Sequence, residues 1–144
     1  MPRGGARSRA LGKSAELRLA RLLERLGWSV VRAPASGARR RNPVPDVIAM
    51  KRGVILMFEV KYRDDARSIY IEAEKYEGIK RFAENAGARV YLAVKLRGSE
   101  EWLVLPWSKA EKTTLKGRPA YAFYKHVIQS AIPLERLLQD FTPK

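Results

Sequence analysis

Apolar positions along the chain follow two different periods, and the first of them predicts an amphipathic helix near the N-terminus. Leucine and alanine recur at spacings of three and four over residues 14–26, which is the repeat of one helix face. Gly27 follows directly and is typical of a helix C-terminus. Residues 1–12 are rich in Gly and Arg and have little apolar surface, so we predict a flexible basic arm there and one folded domain over residues 13–144.

Short runs of apolar residues predict strands in the next part of the chain. β-Branched residues indicate a strand over residues 28–33, and two near-continuous apolar runs, residues 46–50 and 54–62, surround the turn-like sequence KRG. These two runs favour a hairpin whose strands are covered on both faces. Residues 34–45, between the first strand and the hairpin, carry three prolines, Ser, Gly and a run of three arginines, which is typical of a loop.

The second half of the chain alternates strand-like and helix-like patterns. An apolar stripe that includes Tyr76, Ile79 and Phe82 predicts a helix over residues 72–85, with Gly87 at its end. We predict further extended segments at residues 69–71, 88–96, 101–107 and 118–128, and a terminal helix at residues 133–141.

Composition limits the classes of function. The chain of 144 residues has no cysteine and a single histidine, which excludes disulfides, a thiol nucleophile, Cys-ligated zinc and a histidine cluster. Its net charge of +14 favours nucleic acid as a partner, although solubility alone is the simpler explanation of a basic surface. Neither a membrane span nor a signal peptide is apparent, so we expect a soluble, intracellular protein.

Charged residues interrupt the two apolar strands of the predicted hairpin. Side chains alternate across a strand, so Glu59 and Lys61 lie on the same face. A solvated pair on an edge strand is the ordinary alternative, but the flanking apolar runs argue against an edge. Asp46 follows Pro45, and taken alone it would be explained as a turn residue.

The turn of the hairpin decides whether the two acids meet. A two-residue turn at Arg52-Gly53 would pair Ile48 with Met57. Asp46 would then lie opposite Glu59, with Cβ atoms about 5 Å apart. A three-residue turn with a bulge would shift the register by one residue, and the sequence leaves both turns open.

Two carboxylates this close on an apolar sheet repel each other unless a cation compensates them. Oxygen ligands favour Mg²⁺ or Mn²⁺ over zinc, and Lys61 beside such an ion can orient a water and stabilise charge on a phosphate. Glu16 borders the apolar stripe of the first helix and could face this site, although interaction with the helix dipole would also explain it. The pattern indicates a metal-dependent phosphodiesterase site.

Three segments together resemble a known family. The sequences GKSAELRLARLLERLGWSVVRAPASG, PDVIA and FEVK are similar, in order and spacing, to the archaeal Holliday junction resolvases of the Hjc type, within the PD-(D/E)XK, or restriction-endonuclease-like, nucleases. The similarity is densest over residues 13–61. It implies an α/β nuclease domain over residues 13–144, in which a central mixed β-sheet is flanked by helices.

The resemblance also implies site residues and a cofactor. It assigns catalytic roles to Glu16, Ser36, Asp46, Glu59 and Lys61. It assigns Mg²⁺, which Mn²⁺ can replace, to the three acids and the backbone carbonyl of Val60. Many related nucleases carry Gln on the helix after the EXK strand, where this chain has Lys75, and this departure leaves the role of Lys75 open.

The family consists of homodimers that bind four-way DNA junctions and make paired nicks, which implies a junction-cutting homodimer associated with the nucleoid. We assign contacts with DNA phosphates to basic residues that lie in sequence near the site: Arg7, Arg9, Lys13, Arg32, Arg39, Arg40 and Arg41. A solvated charge run is the alternative for the last three. Helix 72–85 and the segment AYAFY are candidate dimer surfaces, with burial in the core as the alternative. A nuclease for another DNA structure, or a non-catalytic DNA-binding protein, remains the competing hypothesis.

Overall fold

The computed structural model describes residues 4–33 and 43–141, with the backbone alone for residues 4–9. Its helices are α1 (Gly4–Arg25), α2 (Ala73–Ala86), α3 (Lys125–Ile128) and α4 (Leu134–Gln139). Its strands are β1 (Ser29–Arg32), β2 (Val47–Lys51), β3 (Val54–Arg63), β4 (Ile69–Glu72), β5 (Arg89–Leu96), β6 (Trp102–Pro106), β7 (Glu111–Leu115), β8 (Arg118–Phe123) and β9 (Ile132–Pro133). A short 3₁₀ turn, Trp107–Lys109, follows β6.

A mixed β-sheet forms the centre of the fold. Its strand order is β1-β2-β3-β5-β6-β9, in which β3 and β5 are parallel and the other neighbours are antiparallel. This architecture confirms the predicted central mixed sheet flanked by helices. A second, antiparallel sheet of order β4-β8-β7 packs with α2, and the sequence analysis did not predict it.

Two hydrophobic clusters cover opposite faces of the central sheet. Leu19 and Leu23 of α1 pack in one cluster with Phe58 and Val60 of β3. Ile79 of α2 packs in the other cluster with residues of β5 and of the small sheet. Because side chains alternate along β3, Glu59 and Lys61 point away from α1 and toward the face that α2 covers.

The hairpin of β2 and β3 has the register that a two-residue turn requires. Ile48 pairs with Met57, as predicted for that turn. Arg52 and Gly53 have φ angles of 48° and 86°, and this pair of left-handed residues is what the favoured two-residue hairpin turn needs. The ladder ends at Val47 and Phe58, so Asp46 is the next residue along β2, on the side of Glu59.

Several predicted boundaries are wrong. Helix α1 begins at Gly4 rather than at residue 14, because alanine, arginine and leucine in this segment favour helix and adding residues to an existing helix costs little. The division into an arm and a nuclease domain stays a prediction. The segment 118–128 is not one strand, since β8 ends at Phe123 and the hydroxyl of Ser68 accepts the backbone N–H of Lys125 where α3 begins.

Both surfaces considered for a dimer belong to the core of the single chain. Ile79 is fully buried, and Phe82 is half-buried. Residues 120–123 of β8 are buried as well, because α2 packs against the small sheet. Burial in the core, the alternative stated for both segments, is therefore what the structure shows for these residues.

Candidate active site

Asp46 is held by backbone groups on both sides. Its carbonyl accepts the N–H of Ala33 at 2.9 Å, beyond the end of β1. Its carboxylate Oδ2 accepts the N–H of Val60 at 2.8 Å. The β2–β3 ladder ends at Val47 and Phe58, and beyond it the Asp46 carboxylate, in place of a β2 backbone carbonyl, accepts the Val60 N–H. The predicted site acid is thereby fixed beside Glu59.

Glu59 is the most buried charged residue of the site, with a relative exposure of 1%. Its Oε2 lies 2.7 Å from Nζ of Lys75. Its other oxygen, Oε1, is buried without a hydrogen-bond partner in the part of the chain that the structure describes. The pKa of Glu59 is raised to about 7, because burial and the negative charge of Asp46 raise it more than Lys75 and Lys61 lower it. A buried carboxylate oxygen with no donor is suited to a cation.

Lys61 lies on the same face of β3 as Glu59, as predicted. Burial lowers the pKa of Lys61, and the positive charge of Lys75 lowers it further, while Glu59 and Asp46 act in the opposite direction. Asp46 is bonded to the backbone of β3, Glu59 and Lys61 share one face of that strand, and Lys75 contacts Glu59, so these four residues form one cluster.

Lys75 is the member of this cluster that the sequence analysis did not assign to the site. It lies in the first turn of α2, four residues before the buried Ile79 and therefore on nearly the same helix side. The spacing of four residues between Lys75 and Ile79 was a signal in the sequence that Lys75 lies near the buried side of α2. Burial by itself would lower the pKa of Lys75, but attraction to Glu59, with smaller effects of Asp46 and Glu72, raises it.

Glu16 approaches the cluster from the other side of the sheet, since α1 covers the opposite face. Its Oε1 lies 3.9 Å from Nη2 of Arg32, and the same Arg32 atom donates to the carbonyl of Lys13 at 3.5 Å. Burial raises the pKa of Glu16, the charge of Asp46 raises it further, and Arg32 and Lys13 lower it. Within residues 4–33 and 43–141, no three Asp, Glu, His or Cys side chains form a group that could hold a metal by itself. The role of Glu16 as a ligand stays a prediction.

The remaining predicted residues divide into two sets. Lys13 and Arg32 are exposed near Glu16, where they can reach a bound polyanion. Ser36, Arg39, Arg40 and Arg41 lie outside the described residues, as do the side chains of Arg7 and Arg9. Among the described helices, none has the length and apolar character needed to cross a membrane.

Comparison with known proteins decides the family. The sequence model of the archaeal Holliday junction resolvases (Hjc) matches residues 7–143. The chain belongs to this family. A crossover junction endodeoxyribonuclease Hjc from Sulfurisphaera tokodaii is 46% identical over 89 residues, which are 62% of this chain and 62% of that relative. The Hjc family also includes a Methanocaldococcus jannaschii relative that is 37% identical over 87 residues, 60% of each chain.

Two further relatives align with a larger part of this chain. A crossover junction endodeoxyribonuclease Hje from Saccharolobus solfataricus is 28% identical over 134 residues, 92% of this chain and 90% of that one. The solved structure of Archaeoglobus fulgidus Hjc, a Holliday junction resolvase, superposes with a TM-score of 0.73 at 25% identity and covers 92% of this chain and 98% of that one. The fold of the Hjc family therefore extends over nearly the whole chain.

Proposed function

We propose that this chain is a structure-selective endodeoxyribonuclease that resolves four-way DNA junctions by paired, metal-dependent nicks. The observation that carries the proposal is the cluster of Asp46 and Glu59 on one face of the sheet, beside Lys61. Oε1 of Glu59 is buried there without a partner among residues 4–33 and 43–141. Family membership supports the same reaction, since the relatives are crossover junction endodeoxyribonucleases.

The donor set fits a hard divalent cation. Asp46, Glu59, the carbonyl of Val60 and, from the α1 side, Glu16 would hold Mg²⁺, with Mn²⁺ as a substitute. All of these donors are oxygens. When bound, such an ion supplies Lewis-acid stabilisation of the charge that develops on the scissile phosphate.

The side chains around this donor set have separate tasks. Asp46 cannot rotate freely, because one of its carboxylate oxygens is bonded to the N–H of Val60. Glu59 has one oxygen that receives no hydrogen bond from the residues that the structure describes. Lys61, whose pKa is lowered by burial, orients the attacking water and offsets negative charge on the phosphate. Ser36, ten residues before Asp46 in the sequence, is proposed to assist at the same phosphate.

Resolution of a junction requires cuts on two opposing strands, whereas this chain has one such cluster among its described residues. We therefore propose a two-fold homodimer that presents two sites at a fixed separation. Lys13 and Arg32, with Arg7, Arg9 and the arginines at 39–41, would bind phosphates on the junction arms. Because each phosphate contact releases counterions, affinity should fall steeply with salt and depend little on sequence. The protein would act inside the cell, on nucleoid DNA.

The test is incubation of the protein with a labelled immobile four-way junction and with a matched duplex, each with and without Mg²⁺. The proposal predicts paired nicks in the junction only when Mg²⁺ is present, and much slower cleavage of the duplex. Equal cleavage of duplex and junction would instead assign the protein to a nuclease with another DNA target. Binding without cleavage under all metal conditions would indicate a non-catalytic DNA-binding protein.

A further inference from the structure

The pairing of Lys75 with Glu59 joins a fixed carboxylate to a lysine that can reach solvent. Glu59 has a relative exposure of 1% and lies in the middle of β3, so its carboxylate is buried against one face of the sheet. The side chain of Lys75 is 41% exposed, although its Nζ lies 2.7 Å from Oε2 of Glu59. A lysine has three donors on a flexible stem, so its ammonium group can move into water when another cation compensates Glu59.

The backbone at Lys75 is fixed by its neighbour in the chain. The hydroxyl of Tyr76 donates to the carbonyl of Trp107 at 2.6 Å, and the indole N–H of Trp107 donates to the carbonyl of Tyr76 at 3.2 Å. The ring of Tyr76 also stacks between Trp107 and Tyr121, with centroid distances of 4.8 and 3.9 Å. These contacts hold the start of α2 against Trp107 and Tyr121, whereas the side chain of Lys75 is partly exposed to solvent.

The charges of the cluster balance without a metal. When all four side chains are ionised, which for Glu59 requires a pH above its pKa of about 7, Asp46 and Glu59 contribute two negative charges and Lys61 and Lys75 contribute two positive charges. Lys61 follows Glu59 on the same strand face, whereas the ammonium group of Lys75 makes direct contact with the Glu59 carboxylate. A divalent cation that binds Glu59 therefore enters a site whose charge is already compensated.

We propose that Lys75 is a resident counter-cation of Glu59, with which an entering divalent metal competes, so that Lys75 lowers the metal affinity of the site and stabilises the metal-free protein. The proposal rests on the metal site of the proposed function. It assigns Lys75 a positioning role through Glu59. A neutral residue at this position leaves one uncompensated negative charge, which attracts the metal more strongly and destabilises the protein when no metal is present.

The test compares native protein with Lys75→Gln, which keeps a hydrogen-bond donor but removes the charge, and with Lys75→Arg, which keeps the charge. Calorimetric titration with Mn²⁺ at pH 8 should show binding that is about tenfold tighter for Lys75→Gln and nearly native for Lys75→Arg. Thermal unfolding in EDTA should give a Tm about 3–6 °C lower for Lys75→Gln. Added Mn²⁺ should restore that loss. Lys75→Met provides a second neutral variant if Lys75→Gln does not fold.

The outcomes separate this inference from the proposed function. If native protein binds Mn²⁺ and Asp46→Asn does not, the metal site stands; equal or weaker Mn²⁺ binding by the neutral Lys75 variants would then overturn the role of Lys75 alone. If native protein does not bind Mn²⁺ even with junction DNA, the metal site and the competition both fail. An unchanged Tm in EDTA for Lys75→Gln would overturn the counter-cation role in either case.

Discussion

The carboxylate of Asp46 accepts the backbone N–H of Val60 at 2.8 Å, so the first acid of the site is tied to the strand that carries the second. Asp46 lies one residue, and Val60 two residues, beyond the last pair of the β2–β3 ladder, Val47 with Phe58. The geometry of the two acids is therefore set by the hairpin itself. A suitable substitution of Asp46 can separate the effect of this hydrogen bond from the effect of the negative charge.

Asp46→Asn should keep the bond, because an amide oxygen also accepts an N–H, while the negative charge is lost. We expect single-turnover cleavage of a four-way junction to fall by at least about a hundredfold, with junction affinity within about threefold of native. Gel-shift titration measures the affinity. Asp65→Asn is the matched control, since Asp65 is exposed and pairs only with Arg67 among the described contacts. A parallel loss of binding and cleavage would indicate that Asp46 is mainly structural.

Glu59→Gln should change how stability depends on pH in the metal-free protein. The pKa of Glu59 is raised from 4.5 to about 7 in the folded state, so between these values the folded state binds more protons than the unfolded state. Stability therefore falls as pH rises through this window. The variant lacks this penalty and should gain about 1–3 kcal/mol relative to native between pH 4.5 and pH 8.

Thermal unfolding of both proteins in EDTA, at several pH values, measures this difference. The gap in Tm between variant and native should widen steadily from pH 4.5 to pH 8. A gap that stays constant over this range would show that Glu59 ionises at an ordinary pKa in the fold.

Lys61→Ala should lower the rate of cleavage more than the affinity for metal. Lys61 is adjacent to the donor set but contributes an amine, which is no ligand while protonated. We expect single-turnover cleavage to fall by at least about a hundredfold and Mn²⁺ affinity, measured by calorimetry, to stay within about threefold. Lys109→Ala, at an exposed lysine on the 3₁₀ turn, controls for loss of one positive charge. Equal losses of rate and metal affinity would assign Lys61 to the metal site itself.

Gly78→Ala should disturb the segment that leads to Asp46. A Cβ at Gly78 would lie 2.7 Å from Cδ of Pro43, so either α2 or the segment before Asp46 has to shift. We expect a loss of about 1–3 kcal/mol in stability and weaker Mn²⁺ binding. Gly12→Ala is the control, because nothing lies within 4 Å of a Cβ there, and in a helix it should stabilise by about 0.5–1 kcal/mol. An unchanged Tm for Gly78→Ala would show that the contact with Pro43 relaxes freely.

Local rules predicted the strand that carries the site. The turn residues Arg52 and Gly53 set the register of the hairpin, and alternation along β3 puts Glu59 and Lys61 on one face. Both rules depend only on residues close in the chain, so the sequence reduced the register to two alternatives, and the structure shows the one that puts Asp46 on the Glu59 side of β3.

Contacts between distant elements could not be deduced in this way. Periodicity shows which side of a helix is buried, but it does not show which strand that side meets. Lys75 reaches Glu59 only because α2 packs on the sheet face opposite α1, and Gly78 meets Pro43 for the same reason. The small sheet likewise depends on pairing between β4 and β8, which lie far apart in the chain.

The sequence by itself thus determined the family, the central sheet and the positions of the charged residues on β3. Each of these depends on short-range hydrophobic patterns and on the spacing of motifs. Only the tertiary structure decided how those charges are compensated. The balance between Glu59 and Lys75 depends on burial and on a distance of 2.7 Å between side chains of separate elements, and packing alone sets both.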